Sequence, residues 1–557
     1  MEKWLVYAKK ADFQGIARKY GIDQVTARII RNRDITEEKD IELYLRGTKK
    51  DLLDPMLLPD MDKAAAIMKE KIRQGASIRI MGDYDIDGVM SSYILKRGLT
   101  EMGGHVSLRI PERIKDGYGL NIHMIEEAVA DGVDTIVTCD NGIAAGEAIA
   151  CAKEHGMTVV VTDHHEVLAV PPADAVVDQK RPDDTYPNKN ICGAGLAWKL
   201  ILAMGGDPEM KLLPYAAFAT VGDVVDLTGE NRVLVKEGIR MLRQTDNLGL
   251  LALARAQKLD LATLNSYHIG FVLGPCFNAS GRLDTALRAE RLLEADTENE
   301  ATQIARELKD LNDSRKAMTD AGVLEAEDVI ARDGLAHDPV MVVFLPDAHE
   351  SIAGIIAGRI REKYGHPTFV LTRAQEEGCV KGSGRSIPEY SMFEELVKVK
   401  DLLLKFGGHP MAAGLSLAEG KVDDFRKAIN ANSRLTEEDL KTKIHIDVPM
   451  PLGYISEDLI RDMAVLEPFG KGNEKPVFAE SRVLLTDAKP MGSKGQYLRM
   501  KALSRAGGPA INAVCFRDAE ALAKRIAENP YVSIIYDPQI NEWRGRRPLQ
   551  IVISHFQ

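Results

Sequence analysis

The 557-residue chain has no apolar run approaching the roughly 20 residues that a membrane-spanning helix needs. Its opening, Met1-Glu2-Lys3-Trp4, runs into mixed polar sequence without the blocks of a signal peptide. Cysteine is scarce and scattered: six residues, with no CxxC pair. This excludes a zinc knuckle and a disulfide framework and points to a reducing, cytoplasmic setting. Positive charge is in deficit, with a net charge of −11, so the chain as a whole is not a basic, non-specific duplex binder. A nucleic-acid substrate stays open, because it needs only a local cationic channel and a metal site itself adds carboxylates. Internal repeats and low-complexity segments are also missing. Against these absences, 45% hydrophobic and 28% charged residues are ordinary for a globular protein. The length implies about three to four domains.

Residues 1–60 read as short helices with a polar break near Thr48-Lys49-Lys50. Over residues 61–281, short apolar strands at 77–81, 106–110, 135–138 and 158–162 alternate with helices, one of them over 89–101. That alternation predicts a doubly wound parallel α/β sheet. Residues 282–321 contain neither Gly nor Pro and carry helical periodicity in Leu292, Leu293, Ile304, Leu308 and Leu311. They predict a helix of about 40 residues, about 60 Å long, within a connector at 282–335. A second, smaller α/β unit is expected at 336–440. The short β-rich pieces of 441–557 fit a small β-barrel.

Three separate strands end in acid: at Asp83-Tyr84-Asp85-Ile86-Asp87, at Asp140 and at Asp163. In an open parallel sheet the carboxyl ends of the strands share one edge, so these carboxylates should converge. Converging carboxylates repel, and a divalent cation is the simplest remedy. His164 and His165 add imidazoles, and such an oxygen-and-imidazole set suits Mn²⁺ or Mg²⁺. Singly, each Asp would ordinarily be a helix N-cap. Nor is the acidic run an EF-hand loop, since it follows a strand rather than a helix. Asp223, with Asp226, interrupts an apolar run and is a further candidate. In the second unit, Gly382-Ser383-Gly384-Arg385-Ser386 reads as a phosphate-type loop, and residues 406–414 as a glycine-rich loop projecting His409. Asn278-Ala279-Ser280-Gly281-Arg282 is a third polar, glycine-containing segment.

The series Asp83-Tyr84-Asp85-Ile86-Asp87-Gly88, Thr138-Cys139-Asp140-Asn141-Gly142, Asp163-His164-His165 and Gly222-Asp223 resembles the ordered motifs of the DHH phosphoesterase superfamily. Gly407-Gly408-His409 with Ala412-Ala413-Gly414 resembles its associated domain. Pro111-Glu112-Arg113 with Asp116-Gly117-Tyr118-Gly119, Gly274-Pro275 with Asn278 and Gly281-Arg282-Leu283, and Leu466-Glu467-Pro468-Phe469-Gly470 with Gly472-Asn473 are similar to the bacterial RecJ exonucleases, over nearly the whole chain. The resemblance implies a 5′→3′ exonuclease on single-stranded DNA in recombination and repair, with a terminal OB-fold. It carries the metal ligands over to Asp85, Asp87, Asp140, His164 and Asp223, for two Mn²⁺ or Mg²⁺ ions bridged by Asp140. His165 becomes the group for the scissile phosphate or proton transfer, Asp163 the residue that orients a histidine, and Asp83 a compensating carboxylate. Arg113, Ser383 and Arg385 would hold the 5′-phosphate, with Arg282 and His409 near the scissile one. Asn278, Tyr118, Trp543 and Arg544 would contact the strand, the last two within Asn541-Glu542-Trp543-Arg544-Gly545-Arg546-Arg547 of the barrel. The expected partner is a single strand with a 5′ end, supplied through a single-strand-binding protein or a helicase, and the expected state is a monomer. One departure stands out: the family commonly has His two residues before the first motif aspartate, where this chain has Met81, a poor ligand for hard cations. Two other functions compete: a phosphodiesterase for short oligonucleotides or cyclic dinucleotides, which residues 441–557 disfavour, and a non-catalytic DNA-binding scaffold, which the retained ligands disfavour.

Overall fold

The computed structural model describes residues 2–113, 115–117, 119–374, 376–541 and 548–557. Five strands, Ser77–Met81, His105–Arg109, Thr135–Cys139, Thr158–Thr162 and Ala175–Val177, form one wholly parallel sheet. From edge to edge the strands begin at His105, Ser77, Thr135, Thr158 and Ala175. The chain leaves Ser77–Met81 through the helix Ile86–Glu101 towards one edge, then returns to pair Thr135–Cys139 on the other side. The strand order therefore reverses at Ser77–Met81, and a crevice opens beyond its carboxyl end. Thr135–Cys139 is buried along its whole length, as expected for a parallel strand covered on both faces. Ile86–Glu101, Gly193–Ala203 and Leu213–Gly222 share one core with it, centred on Trp198, Phe218 and Leu200.

The long helix is real but displaced. It spans Glu298–Asp333, 36 residues, rather than starting at 282. Two shorter helices precede it: Gly274–Leu283, which takes in the segment 278–282, and Leu287–Glu294. Glycine and proline are not the only breaks. Asp284 leaves helical geometry, and the Thr297 hydroxyl accepts the Glu300 N–H at 3.2 Å to start the new helix. The helix stops at Gly334 in the left-handed region.

Beyond it lies a second five-stranded sheet of Met341–Phe344, Thr368–Arg373, Cys379–Arg385, Ala412–Ala418 and Lys405–His409. The two expected loops are strands of this sheet. Ser383 pairs with Gly414 and Arg385 with Ala412, so strand register, rather than loop flexibility, presents Ser383 and Arg385. The barrel closes through Phe478–Met491, Tyr497–Leu503, Ile511–Cys515, Leu549–Phe556 and Tyr531–Ile540, the last pairing back to the first. No helix among the described residues is long and apolar enough to cross a membrane.

Of the segment before residue 61, residues 3–46 are built onto the barrel, while Leu52, Leu53 and Leu58 pack into the core of the first α/β unit. Lys3–Val6 pairs with Lys443–Ile446, while Tyr20, Ile29, Ile30 and Leu45 share the core of the barrel with Leu466, Phe478 and Tyr536. Barrel and first α/β unit are joined by Arg232. This arginine is 1% exposed and donates to four backbone carbonyls, those of Tyr44, Val465, Leu466 and Pro468, while its guanidinium lies 3.8 Å from the Tyr44 ring centroid. Burial of a cation is tolerable only with its donors satisfied. Arg232→Met strands those carbonyls and is expected to lower stability by about 3 kcal/mol, with a matching fall in the thermal unfolding midpoint. An unchanged midpoint would show that the carbonyls are rehydrated.

Candidate active site

The acidic run follows directly on the strand Ser77–Met81. Asp85 caps the helix Ile86–Glu101, accepting the N–H groups of Asp87 at 2.9 Å and Gly88 at 3.2 Å. Asp87, buried in the first turn, accepts from Gly193 at 2.6 Å and Ala194 at 2.7 Å, at the start of the helix Gly193–Ala203. From the neighbouring strand comes Asp140, held in the left-handed region at φ 60°, a conformation a non-glycine residue adopts only under constraint. Its neighbour Asn141 ties the two strand ends together, donating to the carbonyls of Met81 at 3.0 Å and Cys139 at 2.9 Å. Gly193 permits this packing, since a Cβ there would sit 2.7 Å from that of Asp140. Asp163 follows the next strand and His164 comes with it. Asp223 caps the carboxyl end of the helix Leu213–Gly222.

These groups converge. His164 Nε2 lies 3.0 Å from Asp140, 3.6 Å from Asp87 and 3.9 Å from Asp223. Candidate ligand atoms lie within 4.8 Å of one another in three sets: Asp83 with Asp85 and Asp140, Asp87 with His164 and Asp223, and Asp140 with His164 and His165. Every metal-type residue expected from the motifs falls in one of these sets, and Asp140 is common to two of them.

Burial, together with mutual repulsion, pushes the carboxyls up: Asp87 to about 6, Asp223 to about 8, and Asp83 and Asp140 well above the usual range. His164 is driven down to about 3 by burial and by the charge of His165, so it is a neutral imidazole suited to ligation. His165 behaves oppositely. Burial opposes its charge, but its 2.7 Å hydrogen bond to Asp163 and the surrounding carboxylates outweigh burial and lift it to about 9. Asp163 in turn stays below its ordinary value despite burial, held by His165 and the Ile143 N–H. Asp83 Oδ1 is buried with no hydrogen-bond partner. An orphaned carboxylate oxygen facing other carboxylates, with one neutral imidazole, fits a hard divalent cation such as Mn²⁺ or Mg²⁺. Met81 is fully buried in a core with Ile136 and Val161.

Facing this cluster is a cleft of 760 Å³ lined by His165, Tyr84, Arg113, Arg282, Ser383, Arg385 and His409. All five expected phosphate-type residues thus share one cavity between the two α/β units. Arg113 stacks 4.9 Å over Tyr84, and Arg282 donates to the Ser351 carbonyl at 2.7 Å. Arg385 donates to Ser383 Oγ at 3.2 Å. Burial and like charge lower Arg282 to about 10, with Arg113, Arg315 and Arg385 as the repelling neighbours. Mutually repelling buried cations make a site that an anion would relieve.

Sequence reasoning missed Lys381, Lys405 and Ser351 in this cleft. Single lysines on strands carry no local signal. It also missed Gly193 and Ala194, whose backbone holds Asp87; the run Cys192-Gly193-Ala194-Gly195 before an apolar helix was the available hint. Asn278 has a local task, accepting the Ile86 N–H at 2.9 Å and so fixing the acidic turn. Tyr118, Trp543 and Arg544 lie outside the described residues.

A parallel sheet whose switch point gathers carboxylates and imidazoles, faced by a cationic cleft, defines a metal-dependent phosphoesterase of the DHH class. The DHH family N-terminal domain matches residues 77–222, the DHHA1 domain 337–434 and the RecJ OB domain 446–555. The single-stranded-DNA-specific exonuclease RecJ of Bacillus subtilis is 33% identical over 556 residues, 99% of this chain and 70% of that protein. That of Haemophilus influenzae is 31% identical over 95% of both. The crystal structure of RecJ from Thermus thermophilus in complex with Mn²⁺ superposes with a TM-score of 0.85 at 27% identity, covering 100% of this chain and 79% of that one. This chain belongs to the RecJ family of exonucleases.

The raised carboxyls set a pH dependence. A carboxyl whose pKa is raised on folding keeps a proton that the unfolded chain has already released. Its stabilisation is therefore full below pH about 4 and is lost as pH rises through the folded values of about 6 for Asp87 and about 8 for Asp223. The metal-free protein should lose thermal stability as pH rises from about 4 to about 8, the Asp87 part by about pH 6 and the Asp223 part by about pH 8. Mn²⁺ should restore it, with the larger upward shift at pH 8. A metal-induced shift independent of pH would contradict the carboxylate cluster as the binding site.

Proposed function

We propose that this protein is a 5′→3′ exonuclease that hydrolyses phosphodiester bonds of single-stranded DNA with two divalent ions, Mn²⁺ or Mg²⁺, in cytoplasmic DNA recombination and repair. One observation carries the reading: the Asp-His cluster and the cationic cleft of Arg113, Ser383 and Arg385 adjoin through His165 and Tyr84. A terminal phosphate bound in the cleft would bring the adjoining phosphodiester to the cluster.

In this reading Asp83, Asp85 and Asp140 would hold one ion, and Asp87, His164 and Asp223 the other. Bound ions of this kind lower the pKa of water towards neutrality and steady a leaving oxygen. The chain's own residues do the rest. Arg113, Ser383 and Arg385 grip the 5′-phosphate, where fixed guanidinium forks also set orientation. Arg282 and His409 approach the scissile phosphate. His165, kept protonated at neutral pH by Asp163, has a proton to give to an oxygen there. Asp163, bonded to the His165 ring and to the His164 and Ile143 N–H groups, acts by positioning. The barrel would hold the trailing strand, with Trp543 and Arg544 as base and phosphate contacts. The monomer is the proposed acting unit, and a single-strand-binding protein or a helicase the proposed supplier of strands.

The test is purified protein with Mn²⁺ and a 5′-phosphorylated single strand labelled at its 5′ end, against duplex, short-oligonucleotide and cyclic dinucleotide controls. Early release of labelled mononucleotide is expected from the single strand. Cleavage of cyclic dinucleotide alone, or release from the 3′ end first, would defeat the reading. Asp140→Ala should lower turnover by more than about 100-fold, beyond the 10- to 100-fold that loss of a supporting partner costs. Asp163→Asn should fall within that supporting range.

A further inference from the structure

The cationic cleft is larger than a single phosphate requires. Its 760 Å³ falls in the range of about 300–1,000 Å³ that holds a whole small ligand. Strand register shows what fills the remainder. Cys379–Arg385, Ala412–Ala418 and Lys405–His409 are neighbouring antiparallel strands, and directly opposed residues of such strands point to the same face. Val380, Leu415 and Leu417 turn into the core of this unit. The opposite face therefore carries three rows that run across the sheet. Arg385, Ala412 and His409 make the first row. Ser383, Gly414 and Gly407 make the second, and Lys381, Ser416 and Lys405 the third. All three rows border the cleft. Successive rows stand two residues apart, about 6.8 Å.

The first row stands nearest the metal-type cluster. Arg282, burdened first by its burial, is repelled by Arg113 and Arg385 and attracted by Asp85 of the acidic run. The second row is nearly bare backbone. A Cβ at Gly407 would meet nothing within 4 Å, and one at Gly414 only the Gly382 carbonyl, at 3.9 Å. Packing therefore does not demand these glycines. What a side chain would fill is the open space beside Ser383, where a phosphate fits.

The third row, farthest from the cluster, carries two cations. Lys381 pairs with Glu350 at 3.0 Å while its side chain stays 48% exposed, a contact weak enough to yield to a phosphate. Lys405 is exposed and has no ion-pair partner among the described residues. Ser416 lies between them, half-buried, and its hydroxyl bonds to no other described group. A lysine ammonium is a point charge with rotating donors, suited to phosphoryl groups of no fixed orientation. A base would need a ring to stack on, which Lys-Ser-Lys does not offer.

We propose that Lys381, Ser416 and Lys405 form a further anion subsite that receives the outer phosphoryl groups of a 5′-triphosphate, so that the protein starts on triphosphorylated as well as monophosphorylated strands. The proposal rests on the exonuclease reading, in which Ser383 and Arg385 hold the phosphate on the first 5′ carbon, and extends the site outwards from it. With that phosphate at the second row, the outer two point away from the cluster, towards the third. The balance of the reaction is that of any phosphodiester hydrolysis. The oxygen of water joins the scissile phosphorus, the bond from that phosphorus to the 3′ oxygen of the first nucleotide breaks, and the 3′ oxygen takes a proton. The first nucleotide leaves as a nucleoside 5′-triphosphate, and the shortened strand begins with a monophosphate. The third row therefore acts once per strand, in the first turnover.

The test uses full-length protein, Mn²⁺ and one single-stranded sequence with a fluorescent first base and either a 5′-monophosphate or a 5′-triphosphate. Wild type is expected to release the first nucleotide of the triphosphate strand as its nucleoside triphosphate, at a rate comparable with release from the monophosphate strand. In Lys381→Ala/Lys405→Ala the ratio of the triphosphate to the monophosphate rate should fall about tenfold, the effect of one lost charge-assisted contact. This ratio is internal to each protein, so a smaller folded fraction cancels. Lys381→Arg/Lys405→Arg should keep the wild-type ratio. Calorimetry adds a reading that needs no catalysis: metal-free wild type should bind inorganic triphosphate about tenfold more tightly than inorganic phosphate, and the alanine variant should lose that excess. Three results overturn the subsite. One is wild type that degrades the monophosphate strand and cannot start on the triphosphate strand. Another is an unchanged ratio in the alanine variant. The third is a dinucleotide as first product of the monophosphate strand, which gives the third row to the phosphate of a strand shifted by one nucleotide. Wild type that degrades neither strand defeats the exonuclease reading instead, and the calorimetric comparison then decides the subsite by itself.

Discussion

Carboxylate repulsion at the carboxyl ends of the parallel strands is the constraint on which the rest of this structure depends. Asp83, Asp85 and Asp140 are brought within 4.8 Å of one another, as are Asp87, His164 and Asp223, and most of these carboxylates are buried. Burial and mutual repulsion raise them, and Asp223, at about 8, would stay protonated at neutral pH. The fold does not relax this by moving them apart. Backbone N–H groups of Gly193 and Ala194 clamp Asp87, Asn141 ties the strand ends, and Asp140 is held in the left-handed region. A site that resists its own relaxation is preorganised for cations.

Two histidines of one triplet are driven in opposite directions by what each faces. His164 looks into the carboxylate cluster, yet deep burial keeps it neutral and able to ligate. His165 faces the cleft, and one hydrogen bond to Asp163 keeps it charged. A metal-ligand type and a proton-carrying type thus arise from adjacent positions, because Asp163 is a fixed acceptor at the strand end.

The barrel is attached by polar as well as apolar means. Arg232 reaches from the catalytic unit to the carbonyls of Val465, Leu466 and Pro468. The next residues, 469–475, then wall a cavity together with Gly222 and Val224, the neighbours of Asp223. The segment Leu466-Glu467-Pro468-Phe469-Gly470, first noticed as a motif, is therefore a junction whose position fixes where the barrel meets the site.

Much of this was legible in the chain itself. Apolar strand runs ending in Asp determined the parallel sheet and the edge at which the acids gather, since strand ends in such a sheet have only one side to share. The ordered motifs determined the metal-type residues, and the β-rich tail announced the barrel. Helix boundaries were less legible. Asp284 and Thr297 break the chain by capping, which a search for glycine and proline passes over. The supposed phosphate loops proved to be strands because glycine is as compatible with close strand pairing as with turns. Three matters were decided by tertiary structure alone: that Tyr20, Ile29, Ile30 and Leu45 share the core of the barrel, that Gly193 and Ala194 hold Asp87, and that Tyr267 and Phe271 stand exposed in one cavity with Gly222 and Val224, the neighbours of Asp223. Each depends on contact between segments far apart in sequence, and no local pattern encodes which distant partner a side chain will meet.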